Sequence, residues 1–502
     1  MGREDQIINE RLKKLAELRK QGIEPYPNKY EVENNSKDLQ KKYKSLKNET
    51  TTKDKVKIAG RLMTSRDLGK IAFGTLDDGH GRIQIVLQDK ETPKKAQEFY
   101  KKYIDAGDFI GIEGLVFRTK RGELSVLVKS LDILSKSLLP LPEKWHGLQN
   151  EEDKLRKRYL DILMNPEVKE RFEKRAKIIE VLRTLLKEKG FLEVETPALQ
   201  AIYGGASAKP FKTHLNALDI GLYLAISPEL YLKRLITGGY NKVFTICKNF
   251  RNEGIDRQHN PEFTMMEYYT AYDNYEYHIK FTEELFNKLT KELGIKDTIE
   301  YQGKKINLKT PFKRIKFRDL VLKETGIDID KADNFSKLKK EIESKKITGA
   351  DIRQCKHYGA LLDELYKRVA RPKLIQPTFL THYPVEMIAL AKRNEIDKSK
   401  INSVQLIIDG AEILKAYDEL NDPLDQEARL KEQAELLREG SEEAMPMDEE
   451  FIEALKYGMP PTAGYGLGID RIVMLFTNSP SIQDVIIFPF MKPRDLPNSV
   501  RK

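Results

Sequence analysis

The sequence predicts an α+β protein: a small closed β-barrel near the N-terminus, then a larger unit in which helices flank an antiparallel sheet. Three observations carry this. Short strand-like runs cluster between about residues 55 and 138. Beyond residue 151, long helical patterns mix with strands joined by hairpin-length or long loops, without regular βαβ crossovers. A chain of 502 residues is long enough for two or three domains and a substantial core.

The elements follow in order. In residues 7–20, IINERLKKLAELRK, Ile8, Leu12, Leu15 and Leu18 form one helical stripe and Lys and Arg cover the rest, so residues 1–30 read as a basic amphipathic helix stopped by Gly22, Pro25 and Pro27. After a Lys-rich stretch come VKIAGRL, IAFGTLDD, GRIQIVLQ, DFIGIEGLVF and LSVLVKSLDIL. Five such strands at 55–138, separated by Asp, Gly and charged turns, suggest a five-stranded barrel of the OB type. LLPLPEKWHG reads as a linker, 139–150, before a second domain at 151–502. That domain opens on the helix ERFEKRAKIIEVLRTLLKEKG and the strand FLEVETP. YLAISPELYLKRL, KVFTICKNFRNEG, EFTMMEYYTAY, SVQLIIDGAEILKAY and GLGIDRIVMLF follow, with a charged helical insertion at about 320–365.

Composition bounds the function. Lys and Arg number 88 against 78 Asp and Glu, a net charge of +10, which fits a phosphate-rich partner and equally a Lys-rich soluble surface. The only cysteines, Cys247 and Cys355, form no CxxC pair, which argues against a disulfide framework and for a reducing compartment. No apolar run approaches membrane-spanning length, and MGREDQIINE is too charged for a secretory signal, so a soluble, cytoplasmic protein is expected. Neither GxxxxGK[ST] nor GxGxxG after a strand occurs, so a bound nucleotide must be held by side chains on the sheet.

One stretch concentrates charge among apolar residues. FRNEGIDRQHNPEFTMMEYY, 250–269, carries Arg251, Glu253, Arg257, His259, Glu262 and Glu267 interleaved with Phe263, Met265 and Met266. A solvated loop seldom carries those aromatics, and burying ions without partners costs several kcal/mol each, roughly. The stretch reads as the wall of a site for a ligand charged at both ends.

FLEVETP, FRNEG with EFTMMEYY, and GLGIDR, in that order, resemble motifs 1, 2 and 3 of the class II aminoacyl-tRNA synthetases. GGASAKPF, SPELYLKRL, NEGIDRQHNPEFTMMEYY and PPTAGYGLGIDR are similar to the lysine-specific members, and the resemblance covers nearly the whole chain, with the barrel as anticodon domain. It implies activation of L-lysine by ATP to lysyl-adenylate, then transfer to the 3′ end of tRNA(Lys). Arg251 and Arg471 would be the catalytic pair, Arg251 bridging the lysine carboxylate and the α-phosphate, a task suited to a planar guanidinium. Glu253 would accept from the adenine amino group, Phe263 would stack, Arg257 and His259 would reach the outer phosphates, and Gly466 and Gly468 would admit the nucleotide. Taken alone, Arg471 reads as a surface partner of Asp470. Glu229 and the Gly205 backbone would hold the α-amino group, Glu419 and Tyr269 would meet the ε-ammonium, and Glu267, Tyr417 and Lys415 would complete the enclosure. Glu229 also reads as a first-turn helix acid after Pro228. On the barrel, Arg66, Phe73, Gln84 and Glu123 fall where the family reads a U-rich anticodon, although Phe73 alone could equally be barrel core. Motif 1 implies a homodimer.

Two residues depart from the family pattern. Gln405 stands where a carboxylate usually helps Glu412 hold Mg²⁺, and Lys415 where an asparagine is usual. The Asp409-Gly410 turn makes 403–417 a hairpin, and a bulge near Leu414 is needed to bring Glu412 and the set Lys415, Tyr417 and Glu419 into one pocket. Lys415 is expected either to take over part of the charge-neutralising role of magnesium or to turn outward. These departures leave a catalytically weakened, tRNA-binding paralogue as the alternative. An aspartate or asparagine enzyme would need a cationic pocket, which Glu419 and Tyr269 oppose.

Overall fold

The computed structural model describes residues 2–142, 150–353, 355–441 and 444–494, which belong to two compact units, 1–147 and 148–502. Part of the expected linker, 143–149, lies outside the described residues.

In the first unit, strands β1 (Thr51–Asp67), β2 (Ile71–Asp77), β3 (Arg82–Gln88), β4 (Phe109–Arg118) and β5 (Leu124–Ser135) close into a barrel in the order β1-β2-β3-β5-β4. The period of two decides its faces. Along β2, Ala72, Gly74 and Leu76 are buried, while Ile71, Phe73, Thr75 and Asp77 look outward. Gly74 has to be small: a Cβ there would lie 2.7 Å from Leu62 Cδ1 and 2.9 Å from Ile85 Cγ1. The N-terminal helix, Arg3–Lys20, buries Leu15 and Leu18, but the expected stripe needs correcting. Leu12 is exposed, and Arg11 takes the buried place. Its guanidinium donates to the carbonyls of Ala106, Ser137 and Leu139 at 2.8–3.0 Å, which offsets the cost of burying it.

The second unit is built on an eight-stranded sheet. Beside its first strand, β6 (Leu192–Glu193), a small three-stranded sheet gathers β7 (Leu199–Gln200), β8 (Lys212–Leu215) and β9 (Ile220–Leu224). The main sheet continues with β10 (Lys242–Phe250) and β11 (Glu262–Ala271), and the separate hairpin β12 (Thr298–Tyr301) and β13 (Lys304–Asn307) follows in the chain. β14 (Lys313–Lys316), β15 (Thr378–Thr381), β16 (Ser403–Ile408), β17 (Ala411–Asp418) and β18 (Thr462–Gly468) complete the set, in the order β14-β15-β16-β17-β18-β11-β10-β6. The six central strands are antiparallel, as expected, but both edge pairs, β6 with β10 and β14 with β15, are parallel. Long connections through helices return the chain in the same direction at each edge, so the sheet is mixed.

Alternation along the central strands divides the sheet chemically. On one face Phe244, Met266, Tyr268, Leu406, Leu414, Tyr465 and Leu467 pack under helices Pro166–Glu188, Tyr275–Glu292 and Ile469–Phe476. On the other, Glu267, Tyr269, Lys415, Tyr417, Gly464 and Gly466 form a polar floor. The charged insertion holds helices Phe317–Thr325, Phe335–Ser344 and Tyr358–Leu365, and it buries Leu320, Leu338, Ile342, Leu361 and Leu365 in the core beside that floor.

Candidate active site

The floor depends on one irregularity. β16 and β17 meet at Asp409-Gly410, both in the left-handed region (φ 50° and 72°), the geometry of a two-residue hairpin turn. The register then passes from Ile407↔Glu412 to Leu406↔Leu414, which leaves Ile413 as a bulge. The extra residue reverses the parity, so Glu412, Lys415 and Tyr417 share a face with Gln405. Two rows cross four strands each. Gln405, Lys415, Gly466 and Glu267 make one, and Ser403, Tyr417, Gly464 and Tyr269 the next.

Around these two rows the pocket is acidic and buried. Glu229, Glu267 and Glu419 are all buried there. Tyr417 donates its hydroxyl to both carboxylate oxygens of Glu229 at 2.8 and 2.9 Å. Ser227 donates to Glu267 at 3.1 Å, and Tyr269 stands 3.5 Å from the same carboxylate. Burial, reinforced by Glu229, pushes the Glu267 carboxyl up to about 8. Gly464 leaves the space: a Cβ there would overlap Glu419 Oε1 and the Tyr269 ring. Gly205, at φ 83°, passes over Glu229 and Ser227 so closely that a Cβ would sit 2.8 Å from Glu229 Cβ. Glu229 is also the first residue of helix Glu229–Thr237, so its placement as a helix acid and as a pocket acid coincide.

Motif reasoning passed over the cation at the centre of this pocket. Lys233 is fully buried, 2.6 Å from Glu229 Oε1 and in contact with Glu419. Burial works against its charge, but the two carboxylates outweigh it and hold its ammonium above the ordinary lysine value. The signal was present in SPELYLKRL, because Glu229 and Lys233 are four residues apart on one helix.

Arg251 follows β10 on the floor side, with its guanidinium 5.0 Å from the Phe263 ring centre and Nη2 3.4 Å from the Ile226 carbonyl. Arg471 lies at the start of helix Ile469–Phe476, directly after Gly468. It does not pair with its neighbour Asp470, which is buried between Arg175 (2.6 Å) and the Thr264 backbone N–H (2.7 Å). That bridge ties the long helix and β11 to motif 3 and releases Arg471 toward the floor. Arg471 donates to the Glu412 carbonyl at 2.7 Å and meets His259 Nε2 at 3.5 Å. His259 is held in turn by Asp256, 2.9 Å from its Nδ1. The structure therefore brings Arg251, His259, Phe263, Glu412, Gly466, Gly468 and Arg471 to one end of the floor. Glu253 and Arg257 stay exposed on the connecting loop.

Gln405 is held on its inner side. Its Oε1 accepts from Tyr383 at 2.6 Å and from Tyr366 at 3.4 Å. Magnesium asks for hard oxygens, and of this pair only Glu412 retains a carboxylate for one. Glu412 would offer its carboxylate to an ion carried in on phosphates. The donor set does not fit two protein carboxylates sharing a metal.

On the barrel, Arg66 faces Phe73 across β1 and β2, Thr75 faces Gln84, and Gln84 faces Ser125. Phe73 is half-buried on the outer face, not in the core, and Ser125 donates to Gln84 at 2.8 Å. Arg66 and Glu123 are exposed, with Glu123 immediately before β5. An aromatic, an arginine and an amide on one convex sheet can stack and read unpaired bases.

Comparison with known proteins agrees with both units. The family described as tRNA synthetases class II (D, K and N) matches residues 150–492, and the OB-fold nucleic acid binding domain matches residues 56–134. A lysine–tRNA ligase of Pelotomaculum thermopropionicum is 47% identical over 98% of this chain and 97% of its own length. Those of Carboxydothermus hydrogenoformans and Thermotoga maritima are 46% and 45% identical, over 98% and 97% of this chain and 99% and 96% of their own lengths.

Proposed function

The chain belongs to the class II aminoacyl-tRNA synthetases of the aspartate, lysine and asparagine group, and from that premise we propose how its residues carry out lysine–tRNA ligation. The enzyme uses ATP and lysine to charge tRNA, and its OB-fold domain is a nucleic-acid-binding module. The observation that carries the site assignment is the buried trio Glu229, Glu267 and Glu419, with Glu267 in the sheet row of Lys415 and Gly466 and with the charge of Arg251 acting on it.

In this reading lysine lies along the floor. Glu229 and the Gly205 backbone take its α-ammonium, Glu419 and Tyr269 its ε-ammonium, and Glu267 and Tyr417 close the walls. Arg251 draws the lysine carboxylate against the α-phosphate. An oxygen–phosphorus bond forms there as the bond to the β-phosphate breaks, and pyrophosphate leaves. Two anions must approach each other, so screening and alignment supply the acceleration and no protein nucleophile is needed. Phe263 stacks on the adenine and Arg471 brackets the nucleotide from the other side, with Gly466 and Gly468 giving the nucleotide close access to the backbone. The loop residues Glu253, Arg257 and His259 would fold onto the nucleotide, Glu253 at its amino group and the other two at the outer phosphates. Magnesium bound to ATP would meet Glu412 and screen the outer phosphate oxygens. The terminal hydroxyl of tRNA(Lys) then attacks the lysyl carbonyl and AMP departs.

Arg66, Phe73, Gln84 and Glu123 would read the anticodon. A homodimer is supported by the exposed Leu192, Leu199 and Ile202 around motif 1. No helix of the described residues is long and apolar enough to cross a membrane, and the free Cys247 and Cys355 support a reducing, cytoplasmic setting.

Amino-acid-dependent ATP–pyrophosphate exchange tests the assignment. Lysine should support exchange, with ornithine the strongest competitor because it lacks one methylene, a difference of about 1–3 kcal/mol. Exchange with aspartate, or with no amino acid, would overturn it.

A further inference from the structure

Several cations surround Glu412, and they are not equally compensated. Lys367 has its own carboxylate, Asp363, at 2.6 Å. Among the described residues, Lys415, Arg371 and Arg471 have no carboxylate within ion-pair distance. Arg371 Nε is buried without a hydrogen-bond partner, and its guanidinium lies 5.8 Å from the Tyr366 ring centre.

Arg371 is held in place by the fold. After helix Tyr358–Leu365 the chain makes a π-helical turn, Tyr366–Ala370, and a 3₁₀ turn, Arg371–Lys373. Such turns interrupt a helix at some energetic cost and recur at functional sites. Tyr366 anchors this one by its hydroxyl contacts with Tyr383 (3.1 Å) and Gln405. Pro372 presses against the β16–β17 turn, where a Cβ on Gly410 would lie 3.2 Å from Pro372 Cα. Arg371 is thereby fixed beside the hairpin that presents Glu412 and Lys415. Lys415 occupies the row of Gly466 and Glu267, and its charge is disfavoured by burial and by Lys367, against the pull of Glu412, Glu229 and Asp363. The same clustering shows in Arg471, whose charge is disfavoured by burial and by Arg371 and Arg251, against the pull of Glu412. Sunken cations that no carboxylate pairs directly are stabilised by an anion arriving from outside.

We propose that Arg371 and Lys415, with Arg471, form a polyphosphate-binding row that holds the triphosphate of ATP and the departing pyrophosphate. This rests on the adenylation reading and extends it. Much of the charge screening is built into the chain, and Gln405 serves to brace the turn that carries Arg371. The Tyr366 ring beside it favours the charged guanidinium, whose planar fork can offer two N–H groups to one phosphate.

The test uses the full chain and inorganic tripolyphosphate, titrated calorimetrically without magnesium, ATP or lysine. Arg371→Gln and Lys415→Met should each weaken tripolyphosphate binding about tenfold or more, and Arg371→Lys should fall between wild type and Arg371→Gln. The ATP KM in lysine-dependent exchange should rise by the same factors, while lysine binding measured alone changes less than about twofold in Arg371→Gln. Wild-type tripolyphosphate affinity in both folded variants overturns the inference. Exchange that remains lysine-dependent beside that result leaves the adenylation reading standing. Loss of tripolyphosphate binding in a chain that shows no exchange with any amino acid supports the anion row and removes the adenylation reading instead.

Discussion

Lysine binding should expel a proton from Glu267. In the empty pocket its carboxyl is raised to about 8 by burial and by the neighbouring Glu229. At pH 7 it is then protonated in about nine-tenths of molecules. A bound lysine brings two ammonium groups into a space that holds Glu229, Glu267 and Glu419, two of which are already paired with Lys233. The ionised form of Glu267 is favoured as soon as those charges arrive, so about 0.9 proton should leave per lysine at pH 7 and about 0.1 at pH 9. Lysine affinity should rise up to about tenfold per pH unit from pH 6 and level off near pH 8. Calorimetric titration of lysine in two buffers of different ionisation enthalpy counts the proton directly. Glu267→Gln is the control, because any release left in it belongs to Glu419 or Lys233. Release below about 0.2 proton at pH 7, or equal release in wild type and Glu267→Gln, would refute the argument. A linked stability effect has a defined sign. Between the ordinary 4.5 and about 8 the folded protein binds more protons at this site than the unfolded chain does, so stability falls as pH rises through that window. Glu267→Gln should lack that slope in thermal melts.

Three other substitutions read other parts of the design. Lys233→Met strands Glu229 and Glu419 and should cost about 3–5 kcal/mol; lysine should restore part of the lost Tm, and an unchanged melt would contradict the buried bridge. Gly464→Ala puts a methyl group where Glu419 and Tyr269 stand, so the lysine KM in exchange should rise at least about a hundredfold, and a KM within threefold of wild type would show the pocket lies elsewhere. Phe73→Ala should lower tRNA charging relative to lysine-dependent exchange by a factor equivalent to about 1–3 kcal/mol, and an unchanged ratio would remove Phe73 from the anticodon face.

The sequence alone determined what depends on neighbours along the chain. Alternation placed the five barrel strands, and the Asp409-Gly410 turn defined the β16–β17 hairpin and required a bulge, which falls at Ile413. The three motifs and their flanks named the family and most of the acids and arginines now found on one floor. Tertiary structure decided which of these meet. Residues 267, 466 and 415 form a row only because the strand order sets β11, β18 and β17 side by side. Asp470 looked like the partner of Arg471 until the fold delivered Arg175 from a helix nearly 300 positions away in the chain. Lys233 was visible as a spacing, but its second carboxylate, Glu419, comes from the far end of the hairpin. Arg371 carried no local signal, because its importance lies in what it lacks, and a missing counter-ion shows only after every other charge has a place. Local patterns set backbone angles and faces. Compensation of buried charge is a property of the assembled neighbourhood, and it exists only once the chain has folded.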